Sequence, residues 1–265
     1  MAPNQTTVQR FHDQVAIITG AGTGIGAAAA ELFAAEGGRV VLIGQRREKL
    51  DEVASRLSDP ERYLVVPGSV TESAIAHDAV EQAVKRWGRL DVLVSNAAVC
   101  PSDEFLSASP DAWRRVVDVV LQGAFNFAQA SANAMIQTGT RGRIVAVSSV
   151  HASVTQGGTS HYATAKAGLN MLVRSLAVEL APQGIRVNAV APGFVDTPMS
   201  VQSDGKSELE SEWFARDYVQ KRRIPMARAA QPREIARTIL FLASDESSYV
   251  NGHVLVADGG LTCTF

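Results

Sequence analysis

The sequence predicts an α/β fold: a single-domain, Rossmann-like, doubly wound parallel sheet with helices on both faces. Three observations predict it. Short Val/Ile/Leu-rich runs alternate along the chain with longer stretches of helical period. The runs are continuous and do not alternate with polar residues, which is how strands covered on both faces read. The first run passes directly into "TGAGTGIG" at residues 19–26 and then into an alanine-rich helical stretch, the order in which a phosphate-binding turn is built.

The elements follow in order. Residues 14–20 (QVAIITG) form the first strand, and the helix after it ends at Gly37. Residues 39–44 (RVVLIG) form the second strand, followed by a helix through REKLDEVASRL, and residues 62–68 (RYLVVPG) form the third. A helix over 74–88 is stopped by Gly88. Residues 90–96, 142–149 and 184–193 are further strands, with long helices over 111–137 and 161–181 between them. A last helix over 232–243 precedes HVLVADGG. Neither a linker nor an internal repeat interrupts this order, which predicts an N-terminal tail (1–13) and one catalytic domain (14–265). Residues 197–225 stand apart. They are polar and charged yet carry Trp213, Phe214 and Tyr218, the mark of a partly helical insertion that covers a substrate.

Composition narrows the function classes. A net charge of −2 over 265 residues gives no basis for a nucleic-acid or membrane surface. No apolar run reaches the roughly 18 residues of a membrane span, and the polar N-terminal stretch lacks a signal peptide's apolar segment. The two cysteines, Cys100 and Cys263, have no metal-ligand spacing. Free thiols in a reducing cytoplasm, and no metal site, are the expectation.

Gly20, Gly22, Gly24 and Gly26 place four glycines in seven residues between a strand and a helix. Such a turn lets a ligand approach the backbone, and the helix start offers free N–H groups to a pyrophosphate. Tyr162 and Lys166 lie four residues apart, so a helix would stack them on one face. A phenol with its ordinary pKa of about 10 is a poor acid or base at neutral pH, and the spacing alone leaves surface decoration and a tuned acid/base both open.

Together these segments resemble the short-chain dehydrogenase/reductase family over nearly the whole chain. The motifs, in order, are TGAGTGIG, SNAA (95–98), VSS (147–149), YATAK (162–166), VNAVAPG (187–193) and VADGG (256–260). The resemblance implies that Tyr162 is the general acid/base, with its pKa lowered toward neutrality by Lys166, which also binds the nicotinamide ribose. It implies that Ser149, thirteen residues earlier, holds the substrate oxygen, and strand alternation turns Ser148 the other way. It implies cofactor contacts from Gly20, Thr23, Gly24, Ile25, Gly26, Val70, Asn96, Ala97, Tyr162, Lys166, Pro192, Gly193, Val195 and Thr197. Related enzymes commonly pair the 111–137 and 161–181 helices across subunits, which implies a homodimer or homotetramer.

The chain departs from the family pattern in several places. Ala98 replaces a glycine, Ser69 an aspartate, and Val120 an asparagine of the long helix. That asparagine supports a local helix distortion whose carbonyl holds a relay water. With valine, the helix either regularises or keeps a working but altered relay, and the intact Ser149, Tyr162 and Lys166 favour the second. Gly44 stands where an acid would accept the adenosine ribose hydroxyls, and Arg46 follows it. Guanidinium suits phosphate, so NADP(H) is expected over NAD(H), although Arg46 could equally be a solvated helix start.

The expected activity is interconversion of a ketone and a secondary alcohol by hydride transfer. A non-catalytic nucleotide-binding or sensing protein, and a dehydratase or epimerase, are the alternatives on the same fold. Val150, His151, Gln156, Met199, Trp213 and Phe214 are the expected substrate pocket, whose apolar mix suits a hydrophobic ketone, cyclic or aromatic. His151 and His161 read as loop or helix-start residues, not as catalysts.

Overall fold

The computed structural model describes residues 9–263 apart from 58 and 203. In the first half, β1 (Val15–Thr19), α1 (Gly24–Ala35), β2 (Arg39–Gly44), α2 (Arg47–Ala54), β3 (Tyr63–Pro67), α3 (Ser73–Trp87) and β4 (Val92–Ser95) follow one another. The second half contains α4 (Pro110–Val117), α5 (Gly123–Gln137), β5 (Arg143–Val147), α6 (Ser160–Leu180) and β6 (Arg186–Pro192). A single turn, α7 (Glu212–Phe214), then precedes α8 (Pro232–Ala243) and β7 (Val254–Ala257).

Among the described residues the strands form one sheet in the order β3-β2-β1-β4-β5-β6-β7, and every neighbouring pair is parallel. Val15 and Ile17 of β1 face the core under α3, α5 and α6, while Ala16 and Ile18 face the core under α1 and α8. Successive side chains point to opposite faces, so a strand with an apolar core on each side needs an unbroken apolar run. Because the strands are parallel, their carboxyl ends share one edge. The strand order reverses between β1 and β4, the switch point outside whose strand ends open α/β sheets bind ligands.

Three expectations change. Residues 1–8 lie outside the described residues, but residues 10–13 are not a loose tail. Phe11 is fully buried and stacks on Phe33 with centroids 4.3 Å apart, and Arg10 pairs with Glu36 at 2.6 Å. The helix expected over 111–137 is two helices joined by a π-turn at Asp118–Gln122, in which the Gly123 N–H reaches back five residues to the Asp118 carbonyl. Val120 is buried within this turn, and the turn packs against α6. The helix has therefore not regularised, although the asparagine side chain is missing. The 197–225 insertion contributes no strand to the sheet. It folds as short turns with its own apolar core of Phe214, Tyr218 and Ile224, against which Phe194 and Leu209 pack. Among the described residues no helix is long and apolar enough to cross a membrane.

Candidate active site

β5 ends at Val147, and the next two residues diverge as strand alternation requires. Ser148 Oγ donates to Asn170 Oδ1 at 2.6 Å and ties the strand to α6. Ser149 turns the other way, where its Oγ accepts the His151 N–H at 3.1 Å and it lies near enough to Tyr162 to act on the phenol. Lys166 lies one helical turn beyond Tyr162. Its Nζ donates to the Val147 carbonyl at 2.5 Å and sits 5.5 Å from the centre of the Tyr162 ring. All three side chains are buried.

Burial dominates the electrostatics. It pushes the Tyr162 phenol well above its ordinary value, and the neighbouring Ser149 hydroxyl offsets only part of this. Burial also brings Lys166 down to about 8. The expected lowering of the phenol toward neutrality is thus not produced by these residues alone. The ammonium donates to a carbonyl and lies over the ring face. His151 is lowered by burial as well. It meets Tyr162 edge-on, with centroids 5.9 Å apart.

The glycine turn lies at the carboxyl end of β1. Gly20 and Gly24 have φ of +65° and +56°, a region that favours glycine. The Asn96 side chain donates to the Thr19 carbonyl at 2.9 Å, and Thr19 Oγ1 accepts the N–H groups of Asn96 and Ala97. Asn96 therefore braces the turn from the neighbouring strand end. Helix α1 starts with no acidic residue in its first turn, and the Thr23 side chain makes no capping bond. The first-turn amides and the dipole end are left for an anion. The 192–197 segment reaches the same place, since a Cβ at Gly24 would meet Thr197 Cγ2 at 3.1 Å. A phosphate-bearing dinucleotide fits this cradle.

Arg46 is the exposed residue before α2, and its guanidinium has no partner among the described residues, whereas Arg47 pairs with Asp51 at 3.3 Å. Val70 is buried and is fixed through its carbonyl, which accepts from the Asn126 side chain at 3.0 Å. Of the expected pocket residues, Val150 and His151 lie beside Tyr162 in sequence-adjacent turns of the same edge, and Met199 and Trp213 are exposed on the insertion. Gln156 is exposed, and its carbonyl accepts from Thr159 Oγ1 at 2.9 Å. Phe214 instead packs inside the insertion, 5.1 Å from Phe194 and stacked on Tyr218.

Four supporting residues were not singled out by the sequence. Asn170 and Asn126 are buried amides on otherwise apolar helix faces, and that mismatch is a readable signal. Cys100 interacts with the charges of both Tyr162 and Lys166, and burial raises its thiol to about 11. Glu208, on the insertion, also acts on Cys100. Nothing in the sequence marks the last two. His161 is buried and accepts the Tyr162 backbone N–H at 2.9 Å, which fixes the start of α6.

The family model described as enoyl-(acyl carrier protein) reductase matches residues 20–262. The chain belongs to the short-chain dehydrogenase/reductase family. It is 40% identical to the 3-oxoacyl-acyl-carrier-protein reductase FabG of Thermotoga maritima over 253 residues, covering 95% of this chain and 99% of that one. It is 40% identical to the cis-4-hydroxycyclohexanecarboxylate dehydrogenase of Sinomonas cyclohexanicum over 258 residues, 96% and 98% of the two chains. The crystal structure of levodione reductase superposes with a TM-score of 0.88 at 33% identity, covering 97% of this chain and all of the other. The chain is accordingly an oxidoreductase of a family that uses NAD(P) cofactors.

Proposed function

We propose that this protein interconverts a ketone and a secondary alcohol with NADP(H) in preference to NAD(H). The observation that carries the reading is the burial of Ser149, Tyr162 and Lys166 together beyond the end of β5, with Lys166 Nζ 5.5 Å from the centre of the Tyr162 ring. Two hydroxyls held together at a strand end can grip one substrate oxygen. Ser149 donates to that oxygen, and Tyr162 gives it a proton during reduction or takes one during oxidation. Lys166 keeps a positive charge beneath the phenol ring as that proton moves. When bound, the nicotinamide supplies or accepts the hydride.

In this reading Gly20, Thr23, Gly24, Ile25 and Gly26 hold the pyrophosphate, and Val70, Asn96 and Ala97 line the adenosine side. Lys166 binds the nicotinamide ribose, while Pro192, Gly193, Val195 and Thr197 hold the carboxamide. The unpaired guanidinium of Arg46 and the absence of an acid at Gly44 favour a 2′-phosphate. Val150, His151, Met199 and Trp213 favour a substantially apolar ketone. Exposed apolar side chains on α5 (Phe125, Ile136) and α6 (Met171, Val178) favour a homodimer or homotetramer. The two free thiols suit a cytoplasmic protein.

The test is to incubate the protein with NADPH or NADH and a panel of cyclic, aromatic and linear ketones while following nicotinamide absorbance. Turnover with NADPH ahead of NADH is the expected result. Tight cofactor binding with no oxidation on any ketone, or on the alcohols in reverse, would replace this reading with a non-catalytic sensor.

A further inference from the structure

Tyr162 stands in the first turn of α6, the part of a helix least held by its own ladder. The helix starts at Ser160, and its ladder begins with the Ala163 N–H, which donates to the Thr159 carbonyl at 2.8 Å. The N–H groups before Ala163 have no acceptor within the helix. The Tyr162 N–H is the one that an N-cap hydroxyl ordinarily serves. Thr159 occupies the cap position, yet its side chain makes no capping bond. Its Oγ1 donates to the Gln156 carbonyl at 2.9 Å and lies 3.3 Å from His151 Nδ1, so it holds the loop before the helix. The Ser160 N–H has no partner among the described residues.

His161 supplies what Thr159 does not. Its Nδ1 accepts the Tyr162 N–H at 2.9 Å. An accepting Nδ1 carries no proton, so the ring proton is on Nε2. That nitrogen is buried and meets no partner among the described residues. Burying an unpaired donor costs stability. An apolar side chain of similar size would be buried there at less cost, so what the imidazole adds is its acceptor. The next residue carries the phenol. The turn Val150–Ala152, which follows Ser149, packs against α6. Fraying of the first turn of α6 would carry the phenol away from it.

We propose that His161 is a positioning residue: by holding the Tyr162 N–H it keeps the first turn of α6 from fraying and fixes the phenol where the proton is transferred. It acts only through Tyr162. The proposal rests on the ketone–alcohol reading above.

The test compares wild type with two variants. His161→Leu nearly keeps the volume and removes the acceptor. His161→Asn loses volume but keeps an oxygen at the position of Nδ1. If the ring served only as packing, His161→Leu would be the better tolerated of the two. A positioning role reverses this order. With NADPH and a ketone that wild type reduces, kcat should fall about tenfold in His161→Leu, less than the roughly 100-fold that a full ångström of misplacement costs, and stay within about twofold in His161→Asn. KM for NADPH should hold in both, whichever variant melts lower. His161→Asn losing as much kcat as His161→Leu, or His161→Leu keeping the wild-type kcat, overturns the assignment. A measurement on wild type covers the case in which His161→Leu does not fold. There the Tyr162 amide should exchange with deuterated solvent at least about tenfold more slowly than the Ser160 amide, and equal exchange overturns the cap. If wild type turns over no ketone, the ketone–alcohol reading fails, and the exchange rates alone decide whether His161 holds Tyr162.

Discussion

Lys166 donates its ammonium to the Val147 carbonyl at 2.5 Å, tying the catalytic helix α6 to the end of β5. A single neutral carbonyl is poor compensation for a buried cation, and Lys166 is 2% exposed. The fold holds this charge beneath Tyr162 at the expense of its own stability, an arrangement that makes sense only if the charge serves chemistry.

That cost should be visible as a pH dependence. Folding lowers Lys166 from its ordinary 10.5 to about 8. Below pH 8 both states hold the proton and the folded state bears the full penalty. Between the two values the unfolded chain binds more protons, so stability rises with pH, and above 10.5 the penalty is gone. Lys166→Met removes the ionisable group. The variant's stability relative to wild type should therefore fall, by most of roughly 3 kcal/mol, as pH rises from about 7.5 to about 10. Losing the partner of the Val147 carbonyl adds only a pH-independent offset. Urea unfolding of both proteins across this range measures the difference, and parallel curves would show that Lys166 is not buried as a cation.

Tyr162→Phe keeps the ring and removes the hydroxyl on which the neighbouring Ser149 acts. Turnover should fall by about 100-fold or more, the scale of a lost general acid. Cofactor affinity, measured by fluorescence titration, should change little. Near-normal turnover would remove Tyr162 from the proton-transfer step.

Arg46→Ala removes an unpaired guanidinium at the start of α2. NADPH binding should weaken by about 1.5–3 kcal/mol more than NADH binding, the range for a charged hydrogen bond. Dissociation constants for both cofactors decide it. Equal weakening would mark Arg46 as a surface residue and return the cofactor preference to NAD(H).

What the sequence revealed depended on how local each signal was. The strands were legible because parallel strands covered on both faces need continuous Val/Ile/Leu runs, as at RVVLIG. Ser149, Tyr162 and Lys166 were singled out through the ordered family motifs, since the local spacing of Tyr162 and Lys166 alone left a surface pair equally open. Phe11 was missed because its burial depends on Phe33, across the first β–α unit. The bend at Asp118–Gln122 was expected only through the family resemblance, because DVVLQ contains neither proline nor glycine to announce a break. Glu208 of the insertion acts on the Cys100 thiol of the loop after β4 by charge, a relation only the tertiary fold creates. The family resemblance implied a phenol tuned downward, and burial, which no motif announces, acts in the opposite direction.

The last prediction concerns Val120, which stands where the family pattern has an asparagine. The resemblance led to an altered relay in which Val120→Asn would speed turnover and shrink the solvent isotope effect. The structure changes the argument, because the helix distortion is present without the amide. The Gly123 N–H already skips to the Asp118 carbonyl, and α6 packs against the bend. The bend is thus held by backbone and packing, and a side chain is not needed to keep carbonyls out of α-helical register. Val120 itself is 2% exposed within the core under α5 and α6. An amide placed there must find partners or stay dry, at a cost of about 1–3 kcal/mol. Val120→Asn should therefore lower the melting temperature while turnover, its pH profile and the solvent isotope effect stay within about twofold of wild type. Faster turnover with a smaller solvent isotope effect would show instead that the asparagine side chain, and not the bend, serves proton supply. In that case valine at 120 slows this enzyme at the proton-transfer step.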